Sequence, residues 1–306
     1  MTMQCDQSRR RELVELAGAL APRQGYNVTG LDKVRLLRSE AILNNVPVLY
    51  RPGAVFVLQG SKRGVLESEV YIYDEDHYLA VAVPVPFRME SAASPERPLL
   101  AIYIDFDMTL AAEIVAALES WHLEAGGKAR SLVSSRMEAE IEDTVFRLLK
   151  ALASPVETSV LGKSILRELH YRILVGPQGS ALVAALQQKG MAGRIVQSLA
   201  RLSGGFRSEV SIAALASEAG MSVPSYHTHF KALTGSSPIQ YVKAMRLHQA
   251  RLLMARQNST IAEIALSVGY VSPAQFSRDF KRHFGRTASE EVKWVRQHLG
   301  ELASDQ

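Results

Sequence analysis

The sequence predicts an α+β protein: a β-rich stretch in the first third, helices after it, and an all-α C-terminal third in which two helix-turn-helix units are joined by a long helix. Three observations predict this. Short runs rich in Val, Ile and Tyr, separated by tight-turn residues, fill Val46 to Asp107. The last third repeats one pattern twice, some fifty residues apart. Charge is also divided unevenly along the 306 residues. Ala192 to Gly300 holds 14 basic and 6 acidic residues, a balance of +8, whereas Met1 to Met191 holds 21 and 23.

The strand runs are Val46–Tyr50, Ala54–Leu58, Val70–Tyr73, Tyr78–Val83 and Leu99–Phe106. Between them lie the turn signals Arg51-Pro52-Gly53, Gly60-Ser61-Lys62-Arg63-Gly64, Asp74-Glu75-Asp76 and Ala93 to Pro98. Regular short strands with tight turns give an antiparallel barrel or sandwich. Alternation along the last strand puts Ile102, Ile104 and Phe106 on one face and Tyr103, Asp105 and Asp107 on the other. The apolar set is expected to face the interior, which is either packed shut or suited to a small, mostly apolar effector. Helical periodicity follows at Leu110–Leu118, Met137–Leu152 and Ser159–Leu174, and Gly176-Pro177-Gln178-Gly179 breaks the last of these. Gly190 to Gly193 reads as a joint.

Beyond it, Arg194–Leu202 is a first helix. Ser211 caps Ile212–Ala219, and Gly220 suits a left-handed turn residue. Ser222 caps Val223–Leu233, with Pro224 in its first turn. Pro238 to about Arg256 is one long helix with Tyr241, Met245 and Leu252 on one face. Thr260-Ile261-Ala262-Glu263 has the form of a capping box, Gly269 ends the helix it opens, and Ser272-Pro273 begins another that Gly285 stops. In that last helix Phe276, Phe280 and Phe284 form an apolar stripe at i, i+4 and i+8, while Gln275, Arg278 and Arg282 share another face. A helix buried by aromatics on one side and presenting Gln and Arg on the other is suited to a DNA major groove. Gly220, Pro224, Phe230 and Lys231 repeat as Gly269, Pro273, Phe280 and Lys281.

Ser211 to Gly285 resembles the DNA-binding domain of AraC/XylS-type transcription regulators. The most specific residues are Ala265-Leu266-Ser267-Val268-Gly269-Tyr270, Gln275-Phe276-Ser277-Arg278 and Phe280-Lys281, with Arg246-Leu247, Ala250 and Leu252-Leu253 in the linking helix. Thr287-Ala288-Ser289 stands where the family usually has Thr-Pro-Ser. Leu58 to Arg63, Tyr71, Tyr73-Asp74, His77-Tyr78-Leu79 and Ala93 to Pro98 resemble the companion domain of one subgroup of that family. The resemblance implies a small cupin-like sensor barrel over 1–110, a helical dimerisation and linker region over 111–191, and the double helix-turn-helix domain over 192–300. It further implies a bacterial, cytoplasmic regulator, more often an activator, that is a homodimer on double-stranded promoter DNA and answers a small-molecule effector. RNA polymerase is a further expected partner.

Carried over by position, the first recognition helix presents Pro224, His227, Thr228 and Lys231, and the second Ala274, Gln275, Arg278, Lys281 and Arg282. An arginine bridges guanine O6 and N7, a glutamine does the same for adenine, and an alanine packs on a thymine methyl. Lys231, Lys281 and Arg282 are assigned to phosphates, which set register without reading sequence.

No catalytic, cofactor or metal role is expected. His227 and His229, at i and i+2 on a helix, point apart. His77 is a lone histidine beside an acidic turn. Asp105 and Asp107 are expected to be solvent-exposed at a strand end rather than a catalytic pair. There is no phosphate loop, nucleophile elbow or Cys/His zinc spacing. The lone Cys5 permits no internal disulfide and is not expected to sense. No apolar core follows the N-terminal arginines, so no signal peptide is expected. The apolar run Tyr78–Phe87 is well short of the roughly 20 residues a membrane span needs. Two other readings remain: a metal-assisted barrel enzyme with an accessory helical domain, and an architectural DNA binder without sequence preference.

Overall fold

A computed structural model gives the fold of residues 2–120, 128–187, 190–205, 207, 210–256 and 259–302; side chains are described for these except at 2–7, 203–205 and 296–302. The Cys5 side chain therefore lies outside the described residues. The N-terminal stretch forms helix α1 (Thr2–Leu20), held by Leu13 and Ala17 against the body.

Nine strands follow: β1 (Gly25–Val28), β2 (Val34–Ser39), β3 (Leu43–Leu49), β4 (Gly53–Gln59), β5 (Ser61–Leu66), β6 (Glu69–Asp74), β7 (His77–Val81), β8 (Pro86–Ala92) and β9 (Leu99–Asp105). They pair antiparallel in the order β1-β2-β9-β4-β7-β6-β5-β8-β3, a curled half-barrel, with β10 (Leu132–Arg136) added on β7. Gly60 turns the chain at φ +90°. The residues after it, expected in a turn, form β5, because they are paired on both sides, by β6 and by β8. Glu67 and Ser68 make the tight connection from β5 to β6.

Strands β4 and β9 are buried on both faces, and this overturns the expected orientation of β9. Ile102, Ile104 and Phe106 pack with Leu36, Ala54 and Phe56 under α1 and the helices α3 (Ala139–Leu152), α4 (Pro155–Val175) and α5 (Gly179–Leu186). Tyr103 is on the concave face with Val55, Val57, Tyr73 and Phe87. Alternation of apolar and polar residues reports a water-facing side only when one face meets water; at β9 neither does. Asp105 and Asp107 are not free either. Asp105 pairs with Arg35 at 2.7 Å and Arg51 at 3.6 Å. Asp107 accepts from the Thr109 and Leu110 N–H groups at the start of α2 (Met108–Ser120) and pairs with Lys33, contacts that lower its pKa, the Leu110 hydrogen bond most.

The concave face is filled. Lys62 donates to the hydroxyls of Tyr103 (2.5 Å) and Tyr50 (3.3 Å), and Tyr50 meets Tyr73 at 3.3 Å. Burial pushes all three phenols well up, so they stay neutral hydrogen-bonding groups. The void beside Tyr50 and Tyr103 is about 10 Å³, hardly room for one water. Around Tyr50, Tyr73 and Tyr103 the interior is packed.

The C-terminal helices are α6 (Gly190–Gly205), α7 (Ile212–Glu218), α8 (Val223–Thr234), α9 (Pro238–Arg256), α10 (Ile261–Ser267), α11 (Pro273–Phe284) and α12 (Ala288–Leu302), and the mouth of the half-barrel is closed by α6, α7, α8, α9 and α12. Ile195, Tyr226, Phe230, Tyr241 and Val295 belong to the same apolar cluster as the concave face. Helix α12 lies on β1 and β2, and α9 and α11 on β3, so both open edges of the sheet are covered. No described helix is long and apolar enough to cross a membrane.

Candidate nucleic-acid interface

Each helix-turn-helix unit is assembled by local chemistry. In the first, Ser211 Oγ accepts from the Ala214 N–H at 3.2 Å and starts α7. Gly220 turns the chain at φ +63°, a region that L side chains avoid. Ser222 caps α8, Pro224 sits in its first turn, and Gly235 ends it in the left-handed conformation. In the second unit the Thr260 hydroxyl accepts from the Glu263 N–H while the Glu263 carboxylate accepts from the Thr260 N–H, a complete capping box. Gly269 turns at φ +90°, Ser272 caps α11 and Gly285 ends it. After Gly285 the chain lacks the usual proline, and a second reciprocal cap starts α12: Thr287 Oγ1 accepts from the Glu290 N–H, and the Glu290 carboxylate accepts from the Thr287 N–H.

The caps fix the register of the repeat. Ser222 to Gly235 and Ser272 to Gly285 are the same length, with Tyr226 and Phe230 standing where Phe276 and Phe280 stand; all four are fully buried. The turn from glycine to cap is one residue longer in the second unit, and the proline lies one position earlier in its helix. That accounts for the unequal Pro-to-Phe spacing. In this register Thr228 occupies the place of Arg278, Lys231 that of Lys281, and Ser225 that of Gln275. Sequence comparison through the prolines missed Ser225; alignment on the capping serines finds it.

The second recognition helix is held by Phe276, Phe280 and Phe284, whose rings contact in series at 5.3 and 4.6 Å. This leaves Ala274, Gln275, Arg278, Lys281 and Arg282 exposed on one protein surface. Arg278 and Lys281 have no ion-pair partner among the described residues. Arg282 does: it reaches back to Asp279 at 2.5 Å, and the same carboxylate is paired with Lys243 of α9 at 3.3 Å. Asp279 was not singled out from the sequence. Its signal is the i,i+3 spacing to Arg282.

The first recognition helix is placed differently. Pro224, Thr228 and Lys231 are exposed and His227 is half-buried. The Thr228 hydroxyl donates back to the Pro224 carbonyl at 3.1 Å. His227, Thr228 and Lys231 line a cleft of about 640 Å³ whose opposite wall is the β5–β6 turn, and Lys231 Nζ lies 3.7 Å from the Glu67 carboxylate. His77, the other histidine weighed from the sequence, is engaged by Asp74 at 3.0 Å.

Helix α9 ties the two units to each other and to the sheet. Tyr241 donates to the Pro84 carbonyl at 2.7 Å and Arg251 to the Pro47 carbonyl at 3.1 Å, while Arg88 of β8 donates to the His283 carbonyl at 3.1 Å. None of these three was singled out as an interface residue; contacts to backbone carbonyls carry no sequence pattern.

Comparison with known proteins agrees with this architecture. Residues 30–181 match the family profile described as the AraC-type transcriptional regulator N-terminus, and residues 215–293 match a helix-turn-helix domain profile. The chain is 26% identical over 151 residues to the HTH-type transcriptional activator RhaS of Escherichia fergusonii, a stretch covering 49% of this chain and 52% of RhaS. It is 32% identical over 105 residues to the RCS-specific HTH-type transcriptional activator RclR of Escherichia coli K12, covering 34% of this chain and 36% of RclR. The match thus spans about half of RhaS and about a third of RclR. Among solved structures, unsaturated fatty acid-bound ToxT from Vibrio cholerae superimposes with a TM-score of 0.56 at 13% identity, over 88% of this chain and 95% of ToxT, a likeness of fold. With both profiles in chain order, and the half-barrel and paired helix-turn-helix units they imply, the chain belongs to the AraC-type family of transcriptional regulators, in the subgroup that carries the AraC-type N-terminal companion domain.

Proposed function

We propose that this chain is a sequence-specific DNA-binding regulator of transcription, most directly an activator, and not an enzyme. The observation that carries the proposal is the face of α11: Ala274, Gln275, Arg278, Lys281 and Arg282 exposed together on a helix whose opposite side is locked by three buried phenylalanines. Helix α8 supplies the second face through Pro224, His227, Thr228 and Lys231. The two helices enter successive major-groove segments about 34 Å apart. Arg278 reads guanine and Gln275 reads adenine, Ala274 packs on a thymine methyl, and Lys231, Lys281 and Arg282 hold phosphates. The +8 balance of 192–300 supports a polyanion partner for this part of the chain. RhaS and RclR, both named activators, support the sign of regulation.

In this reading 1–110 is the sensor, 111–191 the helical dimerisation and linker region, and 192–300 the DNA-binding domain of a cytoplasmic homodimer that contacts RNA polymerase. The shared apolar cluster of concave sheet and C-terminal helices supports coupling between effector and DNA. The reading is tested by footprinting on the DNA upstream of the chain's own gene and its neighbours, in about 0.15 M salt to weaken non-specific binding. Two protected major-groove segments one turn apart, lost in Arg278→Ala, are expected. Equal affinity for specific and random duplex would instead favour the architectural alternative.

A further inference from the structure

The β5–β6 turn is an acidic cover on the first recognition helix, and we infer that it competes with DNA for that helix, so that the arrangement in this structure engages DNA through α11 while α8 is held back. This rests on the DNA-binding reading above. Three observations carry it. The Glu67 carboxylate is 3.7 Å from Lys231 Nζ, occupying the place of the phosphate that Lys231 would hold. The turn is seated and not merely nearby: a Cβ added at Gly235, the left-handed end of α8, would lie 2.9 Å from Leu66 Cδ1 and 3.4 Å from Glu67 Cγ. Finally, the residue that follows the turn is fixed, Glu69 at the start of β6 accepting from the Tyr71 hydroxyl and pairing with Arg130 at 3.2 Å.

The cleft between turn and helix, about 640 Å³, is far too narrow for a duplex, and it takes in the sides of His227, Thr228 and Lys231 that must meet the groove. Glu67 would also lie against phosphates if DNA entered with the turn in place. Among the described residues no carboxylate from another element pairs with the outward residues of helix α11. The backbone at Glu67 adds to the case. It is the first residue of a two-residue hairpin turn, with φ +54°, where glycine or asparagine is the usual solution. A glutamate there gives up conformational comfort and contributes a charge. Opening the turn exchanges one anion for another at Lys231.

The exposed ion pair is weak alone, which sets the scale of the test. In the full-length chain Glu67→Gln should tighten binding to a duplex carrying the footprinted site about two- to fivefold at low salt. Protection should deepen at the segment contacted by α8 and not at the one contacted by α11. Glu96→Gln, the same charge change on a turn with no α8 contact among the described residues, controls for long-range electrostatics and should leave the ratio of the two segments unchanged. In a Lys231→Gln background the gain from Glu67→Gln should vanish. A discrete, Arg278-dependent footprint whose two segments are equally protected in the parent and in Glu67→Gln would overturn the cover while leaving the DNA-binding reading intact. A parent chain with no discrete footprint on any candidate duplex would overturn both.

Discussion

Arg251 of α9 and Glu291 of α12 face each other at 3.6 Å with almost no exposure to solvent, and Arg286 closes on the same carboxylate at 2.9 Å. Because Arg251 also donates to the Pro47 carbonyl of β3, the cluster joins the linking helix, the last helix and the edge of the half-barrel. Charges are kept in such a place only by partners, and removing one partner leaves the others desolvated without full compensation. Glu291→Ala is therefore expected to destabilise the chain by about 3–5 kcal/mol. Urea unfolding measures it. A loss under about 1 kcal/mol, the level of an exposed pair, would show that the cluster is hydrated in solution.

A second prediction concerns acid. His283 Nε2 of α11 lies 3.2 Å from His248 Nε2 of α9, one ring donating and the other accepting. Burial lowers the pKa of both, His283 to about 4 with help from Arg88 and Arg251, and His248 well below its usual value. The folded chain thus keeps both rings neutral where the unfolded chain, titrating near 6.5, takes up protons. The stability is fully present above about pH 6.5 and drains as the pH falls from there towards 4, by up to about 1.4 kcal/mol per pH unit for each ring. Denaturation series at pH 7.5, 6 and 5 should show this slope. His283→Phe should flatten it, and an unchanged slope in that variant would assign the acid sensitivity to other groups.

These two clusters were not legible in the sequence; of the helices bearing them, α9 and α11 were, and α12 was not. Caps, turn glycines and the Phe276–Phe280–Phe284 stripe act within a few residues, so the helix-turn-helix units and the exposure of Arg278 follow from local pattern. The sheet is different. Strand β5 contains Lys62, Arg63 and Gly64 and reads as a turn; pairing with β6 across the hairpin and with β8 further along the chain makes it a strand. β1 has four residues, with Val28 exposed. β9 was found but turned inside out, since a strand buried on both faces does not announce which face is concave. Interface residues such as Arg88, Tyr241 and Arg251 are chosen by the backbone carbonyls they meet, and those are fixed only by tertiary structure.

Two glycines of the second unit should separate backbone strain from crowding. Both are left-handed, Gly269 at φ +90° and Gly285 at φ +78°. A Cβ at Gly269 would also lie 2.6 Å from the Arg207 carbonyl oxygen and 3.0 Å from the Arg246 guanidinium carbon, whereas at Gly285 nothing is within 4 Å. Gly285→Ala is expected to cost about 1–2 kcal/mol, the conformational term alone. Gly269→Ala should cost clearly more and speed amide exchange in α10 and α11 selectively. Equal costs for the two would mean that the segment holding Arg207 moves aside freely.

The last prediction distinguishes the residues of α11 by what they touch. Arg278 and Lys281 are both exposed and without ion pairs among the described residues, yet their side chains differ in what they can recognise. A guanidinium makes two parallel hydrogen bonds to one guanine; an ammonium is a point charge. Arg278→Ala should therefore cost about 1–3 kcal/mol on the preferred duplex, little on a duplex changed at one base pair, and so relax the preference at that position. Lys281→Ala should weaken binding evenly across sequences and reduce the slope of log affinity against log salt by about 0.9, one phosphate's worth of released counterion. Arg282→Ala should fall between parent and Lys281→Ala in slope, because its guanidinium is already shared with Asp279 at 2.5 Å. Affinity titrations of the three variants on matched and single-change duplexes at several salt concentrations decide it. If Arg278→Ala lowers affinity evenly on every duplex, Arg278 is a phosphate contact and sequence reading on α11 falls to Gln275 and Ala274.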